Sequence, residues 1–265
     1  MISTFYVILL IATNREVAMK IWGNIGTGIT LLASVRKYNK RIKALHQVRD
    51  SGDFEKEREL IAYNVNNWVN DIIEKFQVDF KIEGQENIPD GPCLFVANHQ
   101  AYGDIPALMK VAGNHQIGFI AKDDLEKVPY ISTWIRETRG LFIRRGHPKD
   151  AIKTIKEGIE LLKNGFSLAI FPEGTRSKGG EMRHFKAGSF KLATKSQVPI
   201  VPVVIDGTYK IFEETGYLTK GVTVNIKVLS AIETKGMTRE QMADIHNVVE
   251  DDIRENLNHL KQLDK

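Results

Sequence analysis

The stretch KDAIKTIKEGIELLKNGFSLAIFPEG, Lys149 to Gly174, has the pattern of a helix, a helix stop, a strand and a loop, in that order. From Lys149 to Lys163 the apolar residues recur at the spacing of one helical face, which predicts an amphipathic helix. The pair Asn164-Gly165 supplies its stop. The apolar run that begins at Ser167 is typical of a buried strand. A helix that leads directly into a buried strand is the unit from which α/β domains are built.

The same alternation continues on both sides of this stretch. Buried or half-buried strands are predicted in six further segments, namely Phe76–Gly84, Cys93–His99, Ile117–Ala121, Leu141–Arg145, Pro199–Ile205 and Val222–Leu229. Helical spacing is found at Asp53–Phe76, Asp104–Val111 and Phe185–Ser196, and again from about Thr238 onward. We therefore expect an α/β domain with a mixed, largely parallel sheet and helices on its faces.

Composition limits the classes of function. A chain of 265 residues, 42% of them hydrophobic, can bury one sizeable core, which suits one domain with a small appendage. Its 37 basic and 33 acidic residues give a net charge of +4, too mild for a nucleic-acid binder but compatible with anionic lipids. The single cysteine, Cys93, excludes an internal disulfide and any CxxC site, and its apolar surroundings predict a buried structural thiol.

The N-terminal segment is unusually apolar. Ile2–Ala12 is almost wholly apolar, and Val17–Val35 is a second such stretch, but each is marginal beside the ~20 residues that a membrane span needs. Basic residues follow these stretches instead of preceding them, which argues against a signal peptide: Arg36, Lys37, Lys40, Arg41 and Lys43. We expect residues 1–45 to form two short helices at a membrane interface, ahead of a domain at 46–265. The alternative is a pair of helices packed on the core of that domain.

A histidine and an aspartate stand together in NHQAYGD, immediately after the predicted strand Cys93–His99. A carboxylate bonded to one ring nitrogen of His99 would leave the other nitrogen to take a proton from an attacking hydroxyl. Asp104 is close enough in sequence to supply that carboxylate. These residues alone fit equally well with Asp104 as an ordinary helix N-cap and His99 as a turn residue, and both interpretations stay open.

Two further clusters place charged side chains just past apolar strands. GLFIRRG supplies Arg144 and Arg145, which strand alternation sends to opposite sides, and we expect Arg145 to face the site. FPEGTRS supplies Glu173 and Arg176 around a glycine. The rigid fork of arginine suits a phosphate monoester. Glu173, beside so many cations, is expected to position a hydroxyl or an arginine rather than to act as a second base.

The order of NHQAYGD, LFIRR, FPEGTRS and VPIVPV resembles the four sequence blocks of the glycerolipid acyltransferases, most closely the 1-acylglycerol-3-phosphate (lysophosphatidic acid) acyltransferases. The resemblance extends over about Phe80 to Gly207, and FPEGTRS is its most specific part. It implies the fold of that family, with residues 46–265 as the acyltransferase domain. Ala101 replaces a serine that many members have, and Gly140 stands one residue closer to the arginine than is usual. These departures weaken any conclusion about which acceptor is used.

The resemblance also implies roles. His99 corresponds to the catalytic histidine and Asp104 to its aspartate partner. Binding of the acceptor, chiefly its glycerol phosphate, is implied for a second set of residues: Lys122, Arg145, Glu173, Gly174, Thr175 and Arg176.

The implied reaction moves an acyl group from acyl-CoA or acyl carrier protein to the free hydroxyl of lysophosphatidic acid and gives phosphatidic acid. Backbone N–H groups near Gly174 are candidates for stabilising the oxyanion. No metal, other cofactor or nucleic acid is implied, and the expected place is the cytoplasmic face of the cell membrane, among its lipids. Three alternatives remain: another acceptor (glycerol 3-phosphate, another lysophospholipid or a lyso-aminolipid), a non-catalytic lipid-binding module, and a phosphate-binding hydrolase.

Overall fold

The computed structural model describes residues 15–39, 42–144 and 146–263. These ranges form one sheet of seven strands: β1 (Asp79–Glu83), β2 (Leu94–Ala97), β3 (Ile117–Lys122), β4 (Leu141–Ile143), β5 (Ser167–Ile170), β6 (Ile200–Asp206) and β7 (Thr223–Val228). Across the sheet the order is β1-β7-β6-β2-β5-β3-β4. Neighbouring strands are parallel except β6 and β7, which are antiparallel. The prediction of a mixed, largely parallel sheet is confirmed.

Helices cover both faces of this sheet. They are α1 (Arg15–Asn39), α2 (Ile42–Asp50), α3 (Phe54–Phe76), α4 (Asp104–Ala112), α5 (Ile131–Glu137), α6 (Pro148–Lys163), α7 (Lys191–Ser196) and α8 (Arg239–Leu263). Local chemistry accounts for several of these bounds. The Asp53 side chain accepts a hydrogen bond from the Lys56 N–H at 3.0 Å and so caps the start of α3. Gly165, at φ 89°, follows the end of α6, as the Asn-Gly stop predicts.

The sheet separates two hydrophobic cores, and the central strand β2 contributes to both. All four of its side chains are buried, and they alternate between faces. Phe95 and Ala97 join one core with residues of α1 to α5, whereas Leu94 and Val96 join a second core with residues of α6 to α8. A strand buried on both faces reads as a continuous apolar run, which is why CLFVA was recognisable in the sequence.

Some predicted elements differ in extent. β4 ends at Ile143, so alternation along the strand does not set the direction of Arg144, and Arg145 lies outside the described residues. The helix predicted from Phe185 begins later, as a 3₁₀ turn at Ala187–Phe190 that leads into α7. Phe185 instead donates its backbone N–H to the Glu250 carboxylate at 2.6 Å. Helices α2 and α5 were not predicted.

Helix α1 contains the apolar stretch Val17–Val35 and is one continuous helix. Toward its end, Val35 and Tyr38 are buried in the core, and the Trp68 ring N–H donates to the Ser34 hydroxyl at 3.0 Å. Six residues before Val35, Ile29 is 63% exposed. The first apolar stretch, Ile2–Ala12, lies outside the described residues. Within the described ranges, none of the helices combines the length and the apolar character that a bilayer crossing requires.

Parallel pairing sets the place of the site. Because β2 is parallel to β5 and β6, the carboxyl ends of these three strands lie at one edge of the sheet. The segments that follow them, 98–103, 171–186 and 207–213, therefore meet there. They contain NHQAYG, FPEGTRS and a segment, GTYKIFE, that the sequence motifs had not singled out.

Candidate active site

Asn98 fixes the end of β2 against β6. Its side-chain amide donates to the Ile205 carbonyl at 2.8 Å, and its amide oxygen accepts from the Ile205 N–H at the same distance. This side chain thereby continues the ladder of the sheet where β2 has ended. The next residue, His99, is held at the edge of the sheet in a defined orientation.

Asp104 is the centre of a hydrogen-bond network beside His99. Its Oδ2 atom lies 2.7 Å from His99 Nδ1 and accepts the N–H groups of Gln100 at 2.7 Å and Ala101 at 2.8 Å. The Thr208 hydroxyl bonds to the other oxygen, Oδ1. The Asp104 carboxylate is fully buried, and it lies at the start of α4, where the helix dipole favours a negative charge. Asp104 is thus both a helix-start residue and the partner of His99.

Two contacts hold the His99 ring in place: Asp104 at its Nδ1 atom and an aromatic ring on its face. The Phe171 ring stacks on it, with centroids 4.1 Å apart and an interplanar angle of 15°. Since a carboxylate can only accept, its contact with Nδ1 places the proton of a neutral imidazole there. The lone pair is then on Nε2. The His99 side chain is 16% exposed, so a substrate can reach the ring from one side.

Glu173 connects two loops of the site through backbone contacts. Its Oε1 atom accepts the His99 N–H at 2.6 Å, and its Oε2 atom accepts the Arg183 N–H at 2.8 Å. The residue is only 4% exposed, and burial raises the pKa of its carboxyl group, while the two N–H groups act in the opposite direction. Both oxygens of Glu173 thus contact main-chain N–H groups, and its expected role in positioning a hydroxyl or an arginine stays a prediction.

Gly174 faces a lysine. At φ 73° it takes a backbone conformation that favours glycine, and its N–H donates to the Phe171 carbonyl at 3.0 Å. This N–H therefore closes a turn, and the expectation that backbone N–H groups near Gly174 stabilise the oxyanion stays a prediction. The Lys186 Nζ atom lies 2.6 Å from the position that a Cβ atom on Gly174 would occupy. The missing side chain of Gly174 thus makes room for the ammonium group of Lys186.

Arg176 is held by two neighbours. Its NH1 group donates to Glu213 Oε1 at 2.9 Å, and its guanidinium carbon lies 3.6 Å from the centroid of the Tyr102 ring. The same Glu213 oxygen accepts the Tyr102 N–H at 3.0 Å. The Glu213 side chain is 4% exposed, whereas that of Arg176 is 25% exposed. The guanidinium is thus oriented by a buried carboxylate and an aromatic ring and keeps part of its surface open.

The other predicted binding residues are less closely tied to this network. Lys122, at the end of β3, forms an ion pair with Asp124 and is half-exposed. Thr175 is exposed between Gly174 and Arg176. Arg144 points into solvent, 3.8 Å from the Asp150 carboxylate. Arg145 has no described position, so its predicted role in binding stays a prediction.

Two site residues were missed in the sequence. Thr208 and Glu213 both follow β6, and each contacts a residue of NHQAYGD. The available signal was positional, since a polar segment after a buried parallel strand lies at the edge where sites form. Their partners are more than a hundred residues away in the chain, beyond the reach of local patterns.

Cys93 is fully buried, and burial raises the pKa of its thiol to about 12, which is consistent with the predicted structural role. Among the described residues, no three histidine, cysteine, aspartate or glutamate side chains are grouped so that they could hold a metal ion.

Comparison with known proteins shows the family of this chain. The family model described as acyltransferase matches residues 79–206, which include the segments from β1 to β6. The crystal structure of the 1-acyl-sn-glycerophosphate (LPA) acyltransferase PlsC from Thermotoga maritima superposes with a TM-score of 0.68 and 31% identity, covering 88% of this chain and 95% of that one. The chain belongs to the acyltransferase family. The fold implied by the sequence resemblance is therefore confirmed.

Curated relatives in this acyltransferase family carry a consistent name. The chloroplastic 1-acyl-sn-glycerol-3-phosphate acyltransferase of Brassica napus is 40% identical over 133 residues, covering 49% of this chain and 38% of that protein. The enzyme of the same name from Saccharomyces cerevisiae is 32% identical over 187 residues, covering 69% of this chain and 61% of that protein. The chain thus spans about two fifths to three fifths of the length of these relatives.

Proposed function

We propose that this protein transfers a fatty acyl group from an acyl thioester to the free hydroxyl of lysophosphatidic acid and so forms phosphatidic acid. The observation that carries the proposal is the His99–Asp104 pair at the sheet edge, with Nδ1 bound to a buried carboxylate and the ring reachable from one side. The names of the relatives support the same acceptor.

In this mechanism His99 is the general base. Nε2 takes the proton of the acceptor hydroxyl while its oxygen attacks the thioester carbonyl carbon. The tetrahedral intermediate then expels the thiolate of the donor, which receives the same proton from the imidazolium. Asp104 stabilises that imidazolium and holds the ring in one tautomer, which removes the cost of reorienting it during the reaction.

Cationic side chains near Gly174 would bind the acceptor phosphate. Arg176 has N–H groups in addition to the one that contacts Glu213, so it can bind a phosphate oxygen without leaving its place on Tyr102. Lys186 presents its ammonium over Gly174, and no carboxylate of the described chain lies within ion-pair distance of it. Lys122 and Arg145 are further candidates. Together these groups match the negative charge of a phosphate monoester.

The acyl donor and acceptor tails partition into lipid, so we propose that the protein acts at a membrane surface. Support comes from one face of α1 and its neighbourhood, where Ile29 and Leu32 are exposed next to Arg36. The Arg36 guanidinium carbon lies 5.8 Å from the ring of Tyr130, which is also exposed. Apolar side chains beside basic ones fit an anionic lipid surface.

The test is to identify the product. The protein in mixed micelles is given radiolabelled palmitoyl-CoA or palmitoyl carrier protein with each of three acceptors: lysophosphatidic acid, glycerol 3-phosphate and lysophosphatidylethanolamine. The proposal predicts labelled phosphatidic acid with lysophosphatidic acid and at least about tenfold less product with the other acceptors. Glycerol 3-phosphate lacks the acyl tail that partitions into lipid, and lysophosphatidylethanolamine carries a phosphodiester instead of a phosphate monoester. A different preferred acceptor would reassign the substrate, and lipid binding without any product would favour the non-catalytic module.

A further inference from the structure

Thr208 contacts the Asp104 carboxylate from the side opposite His99. It is fully buried in the 3₁₀ turn that follows β6, and its hydroxyl bonds to Asp104 Oδ1. This is the oxygen of Asp104 that does not contact His99, whose Nδ1 lies 2.7 Å from Oδ2. Thr208 and His99 thus approach the carboxylate of Asp104 through different oxygens.

The single proton of the Thr208 hydroxyl can be assigned. Two acceptors are near it, Asp104 Oδ1 and Gln100 Oε1, and the second is 3.5 Å away. Gln100 Oε1 already accepts the Gly207 N–H at 2.9 Å. A hydroxyl carries one donor, and the shorter contact to a carboxylate receives it. Thr208 therefore donates to Asp104.

Packing around the Thr208 side chain restricts the orientation of its hydroxyl. A Cβ atom on Gly103 would lie 3.2 Å from the Cβ atom of Thr208 and 3.0 Å from the Cδ1 atom of Ile211, so the Thr208 side chain packs on the bare backbone just before α4. Gln100 also lies beside the Thr208 hydroxyl, and its side chain is itself held by donating to Asp206 Oδ1 at 2.8 Å. β-branching and this packing together restrict the χ1 angle of Thr208.

We propose that Thr208 is a positioning residue for acyl transfer, which sets the orientation of the Asp104 carboxylate and, through it, the basicity of His99. The inference rests on the proposed function, in which His99 is the base. Without this donor, Oδ1 would be buried with no hydrogen-bond partner among the described residues, and the negative charge would concentrate on Oδ2. More charge on Oδ2 stabilises the imidazolium and makes Nε2 hold its proton more tightly.

The test compares Thr208→Val, which keeps the shape and removes the donor, with Thr208→Ser, which keeps the donor. Thr208→Val is expected to lower kcat by about tenfold or more, the scale of one hydrogen bond to a charged group, with a smaller change in the KM for lysophosphatidic acid. The acid limb of its kcat/KM profile should move to higher pH. Thr208→Ser should keep kcat and the pH profile close to those of the wild type. Glu173 and Asp206, the other acidic groups of this network, are unchanged in both variants.

Thr234→Val is the matched control. Thr234 is also buried, and its hydroxyl bonds to the carbonyl groups of Ala193 and Val198 instead of to site residues. It should lose stability without a change in the pH profile. Equal profiles for Thr208→Val and wild type would overturn the proposal. The proposal would also be overturned if kcat fell in proportion to the loss of melting temperature in Thr208→Val, Thr208→Ser and Thr234→Val, because the effect would then be one of stability alone.

A second readout does not depend on turnover. The imidazole signals of His99, identified by their loss in His99→Gln, are titrated by NMR in wild type and Thr208→Val. They should titrate at higher pH in the variant, and an unchanged titration would contradict the proposal even if the wild type transferred no acyl group. If Thr208→Val does not fold, Thr208→Cys, whose thiol is a weaker donor, should give a shift in the same direction.

Discussion

At the scale of single residues, Lys186 should decide whether a phosphate is preferred. Because its ammonium lies over Gly174 with no carboxylate partner in the described chain, Lys186→Met should raise the KM for lysophosphatidic acid by about tenfold and change kcat less. The preference for lysophosphatidic acid over monoacylglycerol, which lacks the phosphate, should fall by a similar factor. Steady-state kinetics in mixed micelles with both acceptors measure this.

Two variants control for charge and for folding. Lys186→Arg retains a cation and should keep most of the preference, whereas Lys191→Met removes an exposed lysine at the start of α7 and should behave as wild type. An unchanged KM and preference in Lys186→Met would assign the phosphate to other cations, such as Arg176.

Residues close together in sequence were predictable, and those joined only by the fold were not. His99 and Asp104 are separated by a short turn, so a strand end followed by a helix start already brings them together. Glu173 reaches His99 across 74 residues and does so through backbone N–H, for which side-chain patterns give no sign. The contacts of Thr208 and Glu213 depend on β6 lying beside β2, and this pairing is a property of the whole sheet.

At the scale of elements, the pairing of β3 with β4 depends on a glycine. A Cβ atom on Gly118 would lie 2.6 Å from the carbonyl oxygen of Arg139, and backbone cannot move aside as a side chain can. Gly118→Ala should therefore lower the free energy of unfolding by about 1–3 kcal/mol, the usual cost of overpacking. Thermal or urea unfolding measures this loss.

The control for this substitution is Gly188→Ala. A Cβ atom there would meet nothing within 4 Å, so its effect should stay within about 0.5 kcal/mol. Equal stability of Gly118→Ala and Gly188→Ala would mean that β3 and the Arg139 segment can separate at no cost, contrary to the packing described.

Helices and strands were predictable where burial fixes the spacing of apolar residues along the sequence. The amphipathic α6 and the doubly buried β2 are examples, since each carries its apolar residues at the spacing of its own structure. Helix α5 was missed because it is short and begins after Tyr130, whose φ of 65° no local pattern announces. The antiparallel pairing of β7 could not be predicted either, because strand periodicity carries no information about direction.

At the scale of the whole molecule, membrane binding should depend on the exposed face of α1. Replacing Ile29 and Leu32 with glutamate puts charge on that face, and binding to vesicles with anionic lipids should fall by about tenfold or more, given ~1.5–3 kcal/mol for each buried apolar side chain. Vesicle sedimentation measures the bound fraction. This test is cleaner than removal of residues 1–40, because Val35 and Tyr38 within that range belong to the core.

Ala243→Glu combined with Val248→Glu adds the same charge to exposed positions of α8 and should leave vesicle binding unchanged. Full binding by the α1 variant would place the membrane contact elsewhere, for example in residues 1–14. The boundary predicted at residue 45 stays a prediction, since the end of α1 packs on the domain that follows.

The role of His99 as general base is tested most directly by thiol release from palmitoyl-CoA, with and without lysophosphatidic acid, for wild type and His99→Gln in mixed micelles. Release by the wild type should depend on the acceptor and should fall by about 10²–10⁴-fold in the variant, the range expected for loss of a general base. Melting temperature confirms that the variant is folded. Release by a folded His99→Gln at the rate of the wild type would contradict the assignment of His99 as the base.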